Sequence, residues 1–83
     1  MRRDMRFTVA CEWDAEASVW YVAESNVPGL AAEAPTTEAM GRLLLELVPH
    51  LVQLNMPQLA GKQECEVPLE LLWKQHANVR INC

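Results

Sequence analysis

Residues 6–24, RFTVACEWDAEASVWYVAE, decide the fold of this chain. Every second side chain from Phe7 onward is apolar, which is the period of a half-buried β-strand and predicts a strand over 6–14. Residues 18–24 are rich in β-branched and aromatic side chains and predict a second strand. Only the short polar stretch 14–17 separates the two, so we expect a β-hairpin.

The register of this hairpin stays open between two pairings. One pairing places Trp20 beside Trp13, and a slip of one residue places Val19 there instead. Because the second strand is apolar at each position from Val19 to Val22, both of its faces are expected to be partly covered. At least one of Trp20 and Tyr21 should therefore point away from the rest of the core.

A proline–glycine pair follows the hairpin. Pro28 fixes φ, and Gly29 supplies the positive φ that a type II turn requires at its third position. Residues 30–34 then predict a short third strand, which we place at an edge of the sheet because it has one large side chain.

The next segment has the signals of a helix. Thr36 is the expected N-cap, and Glu38 lies in the first turn, where the helix dipole favours a carboxylate. Pro49 interrupts the helix, and because the apolar stripe continues beyond it, a kink is favoured over two separate helices. The stripe has helical spacing and consists of Met40, Leu43, Leu44, Leu47, Leu51 and Leu54.

A loop over 55–62 and an alternating stretch over 67–74 complete the pattern. The alternation predicts a fourth strand, with Pro68 at an edge or an unpaired end. Residues 76–83 either extend this strand or lie free. The order strand, strand, strand, helix, strand predicts an α+β fold in which one helix covers one face of the sheet.

Length and composition limit the function. The 83 residues, of which 51% are apolar, predict a single domain over 1–83 with its core at about 6–75. Apolar burial of about 130 kcal/mol barely exceeds an ordering cost of about 125 kcal/mol, so self-association is expected to help the fold. A net charge of −4 without a basic stripe argues against direct binding of nucleic acid.

The cellular location follows from what the sequence lacks. No apolar run is long enough for a membrane span, and the basic start at 1–6 is not followed by the apolar segment of a signal peptide. Three widely spaced cysteines, Cys11, Cys65 and Cys83, do not resemble a disulfide framework. We therefore expect a protein of the reducing cytoplasm.

Residues 13–39, WDAEASVWYVAESNVPGLAAEAPTTEA, resemble the HicB-like antitoxin domain. The shared parts are an acidic hairpin, an aromatic strand, the turn Pro28-Gly29-Leu30 and the helix start Thr37-Glu38-Ala39. The chain is more similar still to a short branch of that superfamily, the domain of unknown function numbered 1902. Residues 47–55 and 67–71 extend this resemblance to about four-fifths of the chain.

The resemblance implies a partial RNase H fold with a four-stranded mixed sheet in the order 3-2-1-4. HicB-type antitoxins bind HicA, a small basic ribonuclease toxin, and many add a DNA-binding segment for which this chain has no room. We therefore expect a non-catalytic protein-binding module whose partners are itself and a small basic toxin. The alternative is a homo-oligomeric regulatory or small-ligand-binding domain without a toxin.

The candidate partner-binding residues combine aromatic side chains with an acidic set. Aromatic residues are frequent interface anchors, and carboxylates suit a basic partner. No catalytic, metal-binding or cofactor-binding set is expected, because Cys65, His76 and Cys83 lack the close ligand pairs of a zinc site. The candidates are Trp20, Tyr21, Glu12, Asp14, Glu24 and Glu33.

Overall fold

The computed structural model describes residues 6–56 and 66–82. Its elements are β1 (Phe7–Asp14), β2 (Val19–Ser25), β3 (Glu33–Ala34), α1 (Thr37–Asn55) and β4 (Leu69–Lys74). The strands form one sheet in the order β3-β2-β1-β4, in which β1 is antiparallel to β2 and parallel to β4. The predicted α+β class, strand order and single helix are confirmed.

The hairpin takes the register that places Trp13 opposite Trp20. Between the pairs Ala10–Glu24 and Cys11–Val22 the register shifts, which leaves Ala23 as one extra residue on β2. A β-bulge of this kind bends and twists the bulged strand locally. The apolar run over 19–22 lies before the bulge and alternates regularly: Trp20 and Val22 pack against the core, while Tyr21 points to the other face.

Asp14 shapes the turn between β1 and β2. Its carboxylate oxygen Oδ1 accepts hydrogen bonds from the N–H groups of Glu16, at 3.0 Å, and Ala17, at 3.2 Å. Its carbonyl oxygen accepts another from the N–H of Ser18, which has a positive φ of 57°. The side chain of Asp14 is thus used in part to hold the hairpin closed.

The proline–glycine turn has the expected geometry. Gly29 has a φ of 77°, and the N–H of Leu30 donates to the carbonyl of Val27 at 3.3 Å. The third strand was predicted to begin at residue 30, and this start was wrong. The N–H of Leu30 closes the turn, and ladder pairing begins only at Glu33. The amide of Asn55 donates to the carbonyl of Pro28 and ties the turn to the end of α1.

Helix α1 runs through Pro49 as one element. Its buried line is Met40, Leu44 and Val48, spaced four residues apart. Met40 and Leu44 belong to the predicted apolar stripe, whose members Leu43, Leu47 and Leu51 are partly buried, whereas Val48 was not predicted. The expectation for Leu54 was wrong, because this side chain in the last turn is 64% exposed.

The N-cap of α1 offers a direct test of the predicted helix start. The hydroxyl oxygen of Thr36 accepts a hydrogen bond of 3.0 Å from the N–H of Ala39. Thr36→Ala leaves that donor unsatisfied and is expected to lower the free energy of unfolding by about 1 kcal/mol. Thr36→Ser keeps the acceptor and serves as the control; equal losses in both variants, measured by urea denaturation, would contradict the cap.

The core lies between α1 and one face of the sheet. Phe7, Val9 and Cys11 of β1 are buried there, and Leu69 and Leu71 of β4 pack against them. Burial raises the pKa of the Cys11 thiol, which fits its place as a small core residue.

The fourth strand begins later than the predicted residue 67. It begins at Leu69, and Val67 and Pro68 precede it; the carbonyl of Pro68 still accepts from the N–H of Phe7 at 2.9 Å. Residues 75–82 follow β4 without forming a further element and are exposed throughout. Most of the loop predicted over 55–62, together with Cys65 and Cys83, falls outside the described residues.

Candidate protein-binding face

The sheet face that points away from α1 is called the open face here, because no described element covers it. Residues paired across neighbouring strands share a face, so the register assigns its members. The open face consists of Thr8, Ala10, Glu12 and Asp14 of β1, Val19, Tyr21 and Glu24 of β2, Glu33 of β3, and Glu70, Leu72 and Lys74 of β4.

The open face carries two large exposed side chains, Leu72 on the edge strand β4 and Tyr21 on β2. Leu72 lies opposite Ala10 and is 44% exposed, while the phenol ring of Tyr21 is 37% exposed one row further along. Leu72 is thus a large apolar side chain that water reaches on the edge strand of this face, and it is a candidate contact for another protein.

Acidic side chains lie between Leu72 and Tyr21 and around them. Glu12 lies between Tyr21 on β2 and Lys74 on β4, and Glu33 lies on the far side of Tyr21. Asp14 follows at the hairpin end, and Glu24 is exposed opposite Ala10 at the bulge. The structure thus brings the four predicted carboxylates to one side of the sheet or its rim.

Tyr21 and Glu12 are joined by a hydrogen bond. The phenol hydroxyl donates to Oε1 of Glu12 at 3.3 Å. The negative charge of Glu12 is the largest cause that raises the pKa of Tyr21, and Asp14 adds a smaller effect. The neutral phenol is therefore the form that the folded state favours, and this preference is lost as the pH rises through the raised pKa.

This arrangement predicts a titration that can be measured in isolation. The chain has one tyrosine, so the ultraviolet absorbance of tyrosinate reports on Tyr21 without overlap from another phenol. Glu12→Gln is expected to lower the pKa of Tyr21, because it removes the charge that disfavours the phenolate. Asp14→Asn should lower it less; an unchanged pKa in Glu12→Gln would contradict the contact.

Trp20 lies on the other side of the sheet. It packs against the core, and its ring forms edge-to-face contacts with Trp13, at 5.5 Å between centroids, and with Trp73, at 5.3 Å. Of the two aromatic candidates, the structure thus places Tyr21 on the open face and Trp20 on the helix side.

The hairpin end of the open face contains a shallow depression. It is open to solvent, and its lining includes Asp14, Glu16, Tyr21 and Glu33. Small-molecule sites are usually enclosed and mainly apolar. A shallow acidic depression is better suited to a basic side chain of a protein partner.

Leu72 is the residue of this face that sequence reasoning missed. The alternation of β4 assigned Leu69, Leu71 and Trp73 to the core and set Glu70 and Lys74 opposite them. Leu72 stands between those two charged residues, on the side that the alternation marks as polar. The available signal was Leu72 itself, an apolar residue at a position where the alternation of the strand predicts a polar one.

Other kinds of site find no support in the described residues. Within 6–56 and 66–82, no three histidine, cysteine, aspartate or glutamate side chains are grouped so that they could hold a metal ion. The same part of the chain contains no helix with the length and hydropathy of a membrane span.

Comparisons with known proteins agree with this fold. A family model described as a domain of unknown function, DUF1902, matches residues 6–82. The crystal structure of the hypothetical protein TTHA1013 from the extremely thermophilic bacterium Thermus thermophilus is similar, at 34% sequence identity and a TM-score of 0.54. The match covers 89% of this chain and 99% of that one. No curated protein matches the chain.

Proposed function

The chain belongs to the DUF1902 family, and from this premise we propose that it is a non-catalytic protein-binding module. We infer that it binds a small basic protein on its open face and also associates with itself. The proposed partner is a ribonuclease toxin of the HicA type. The resemblance of residues 13–39 to HicB-type antitoxins supports this choice.

The observation that carries the proposal is the composition of the open face. Two large exposed side chains, Leu72 on the edge strand β4 and Tyr21 on β2, stand on this face among carboxylates, with Glu12 on the strand between them. Protein interfaces likewise combine apolar or aromatic side chains with polar ones. Tyrosine is also among the residues that contribute most to binding energy.

The charge of the open face favours a basic partner. Glu12 and Glu33 flank Tyr21 on the neighbouring strands and Asp14 follows on the same face of β1, while Lys74 is the one basic side chain among the open-face residues defined above. Complementary charge accelerates association and excludes partners of the same sign. An acidic binding face on a chain of net charge −4 would therefore select basic proteins over acidic ones.

Geometry also favours binding over catalysis. The hydroxyl of Tyr21 donates to a carboxylate, and the carboxylate of Asp14 is hydrogen-bonded to backbone N–H groups of its own turn. These groups already make hydrogen bonds within the chain. Among the described open-face residues, no nucleophile with an adjacent base accompanies them. Another protein that covered this face would contact these side chains in the arrangement they already have.

Co-expression with a HicA-type toxin from the same genome tests the proposal. We expect this chain to restore growth of cells that express the toxin, and the two purified proteins to elute as one complex whose mass is the sum of both by light scattering. Toxicity that persists, together with separate elution, would contradict the proposed partner.

A homo-oligomeric regulatory domain without a toxin is the second candidate. It is favoured by β4, a sheet edge whose side chains Leu72 and Trp73 remain 44% and 36% exposed. The gene neighbourhood separates the two candidates. A small basic reading frame next to this one, similar to a double-stranded-RNA-binding fold, favours the toxin partner, and its absence favours the second candidate.

A further inference from the structure

Residues 75–82, called the arm here, continue the chain beyond the edge strand β4. Each residue of the arm is exposed, and its two large apolar side chains, Val79 and Ile81, are 79% and 72% exposed. They are two residues apart, as on one face of a strand. Exposed apolar side chains with this spacing would form one face of a strand if the arm paired with a neighbour.

The edge next to the arm also lacks a neighbour. The carbonyl of Pro68 points towards β1, because it accepts a hydrogen bond from Phe7. Peptide groups of successive residues in a strand point to opposite sides, so those of Leu69, Leu71 and Trp73 point away from β1. An arm that continued β4 as a strand would keep this phase at each odd-numbered residue.

We propose that β4 and the arm pair antiparallel with β4 and the arm of a second copy, about a two-fold axis at Gln75. This deepens the self-association proposed above and takes it as its premise. With the axis at Gln75, the numbers of any two residues that face each other add up to 150. Leu69 then faces Ile81 of the partner subunit, Leu71 faces Val79 of the partner subunit, and Trp73 faces Ala77 of the partner subunit.

The helix-side pairs and one ion pair on the open face support this register, which also sets Leu72 opposite Asn78 of the partner subunit and Lys74 opposite His76 of the partner subunit. The three pairs just named are apolar and lie on the helix side, where Leu69 and Leu71 are only half-buried in one chain. On the open face, Glu70 faces Arg80 of the partner subunit. Opposite charges placed directly across two strands stabilise the pair, and the two-fold axis makes this contact twice.

Neighbouring registers lose these contacts. Pairing must keep odd-numbered residues opposite odd-numbered ones, because those residues point their peptide groups to the free edge. An axis at Lys74 sets two lysines against each other, and an axis at His76 sets Leu72 opposite Arg80. Glu70, which contacts Arg6 at 3.6 Å within its own chain, meets Arg80 only when the axis lies at Gln75.

Disulfide trapping tests the register directly. In a Cys65→Ser/Cys83→Ser background, which keeps the buried Cys11, Gln75→Cys places two cysteines across the axis with Cα atoms about 5.5 Å apart, within disulfide range. Asn78→Cys is the control in the same arm, because its two copies lie about 20 Å apart along the strands at ~3.3 Å per residue. We expect dimers trapped at position 75 and none at position 78.

Charge exchange provides the second readout. Arg80→Glu is expected to weaken the dimer at least about tenfold by light scattering over a dilution series, since it repels Glu70 at two symmetric positions. Combining it with Glu70→Arg should restore most of the loss.

The outcomes test the proposed register separately from the self-association on which it rests. A dimer that is trapped equally at both positions, or at neither, overturns the register and leaves self-association intact. A monomer at tens of micromolar overturns both, while binding of the HicA-type toxin is measured independently of either result.

Discussion

Replacing Leu44 by alanine is expected to lower the free energy of unfolding by about 3 kcal/mol, the middle of the range for a fully buried leucine. The side chain has no exposed surface and lies between Met40 and Val48 on the buried line of α1. A domain of this size has a total stability of about 4 to 12 kcal/mol. The loss corresponds to a fall in Tm of roughly 12 to 24 °C.

The adjacent leucine is the matched control for this variant. Leu45 is 66% exposed, so Leu45→Ala removes the same atoms from the solvent side and should change stability by less than about 0.5 kcal/mol. Both variants are compared by urea and thermal denaturation at one protein concentration, because self-association would couple to unfolding. Similar losses in the two would mean that α1 packs on the sheet with a different face.

Reversing two charges on the open face is expected to weaken binding of a HicA-type toxin by about a hundredfold. Glu12→Lys and Glu33→Lys place positive charge on both sides of Tyr21, where the proposed basic partner docks. Like charges brought together at an interface cost several kcal/mol when desolvated, and the loss of steering slows association. Calorimetry and stopped-flow measurements at two salt concentrations give the affinity and the association rate.

A control with the same net charge separates local from global electrostatics. Glu46→Lys/Glu66→Lys changes two exposed carboxylates on α1 and before β4. Each reversal adds two charges, so both double variants move the formal net charge from −4 to 0. The control should weaken binding by no more than about threefold, through screened long-range effects; equal losses would show that the partner senses only total charge.

Most of the fold follows from local chemistry. The period-two pattern of β1, the positive φ at Gly29 and the cap at Thr36 are set by neighbouring residues, and each has the expected form. The strand order rested on a family resemblance, since pairing between distant strands has no local signature. The start of β3 was misplaced because the turn at Gly29 uses the N–H of Leu30, which strand propensity does not reveal.

The candidate face was predictable only in part. Carboxylates at alternate positions of one strand, Glu12 and Asp14, share a face by geometry. The side of Trp20 and Tyr21 depended on the hairpin register, which the sequence left open and the pair Trp13–Trp20 decides. Leu72 joins the face because β4 lies beside β1, and this is a tertiary contact between residues 62 positions apart.

Tyr21 tests the role of the open face most directly. The affinity of a HicA-type toxin is measured by calorimetry for Tyr21→Ala and for Leu45→Ala, which removes an exposed apolar side chain from the helix on the opposite side of the molecule. Tyr21→Ala is expected to weaken binding at least about thirtyfold, the loss of a central aromatic anchor, and Leu45→Ala less than about twofold. Binding that survives Tyr21→Ala and is lost in Leu45→Ala would place the partner on the helix and contradict the open face as the binding surface.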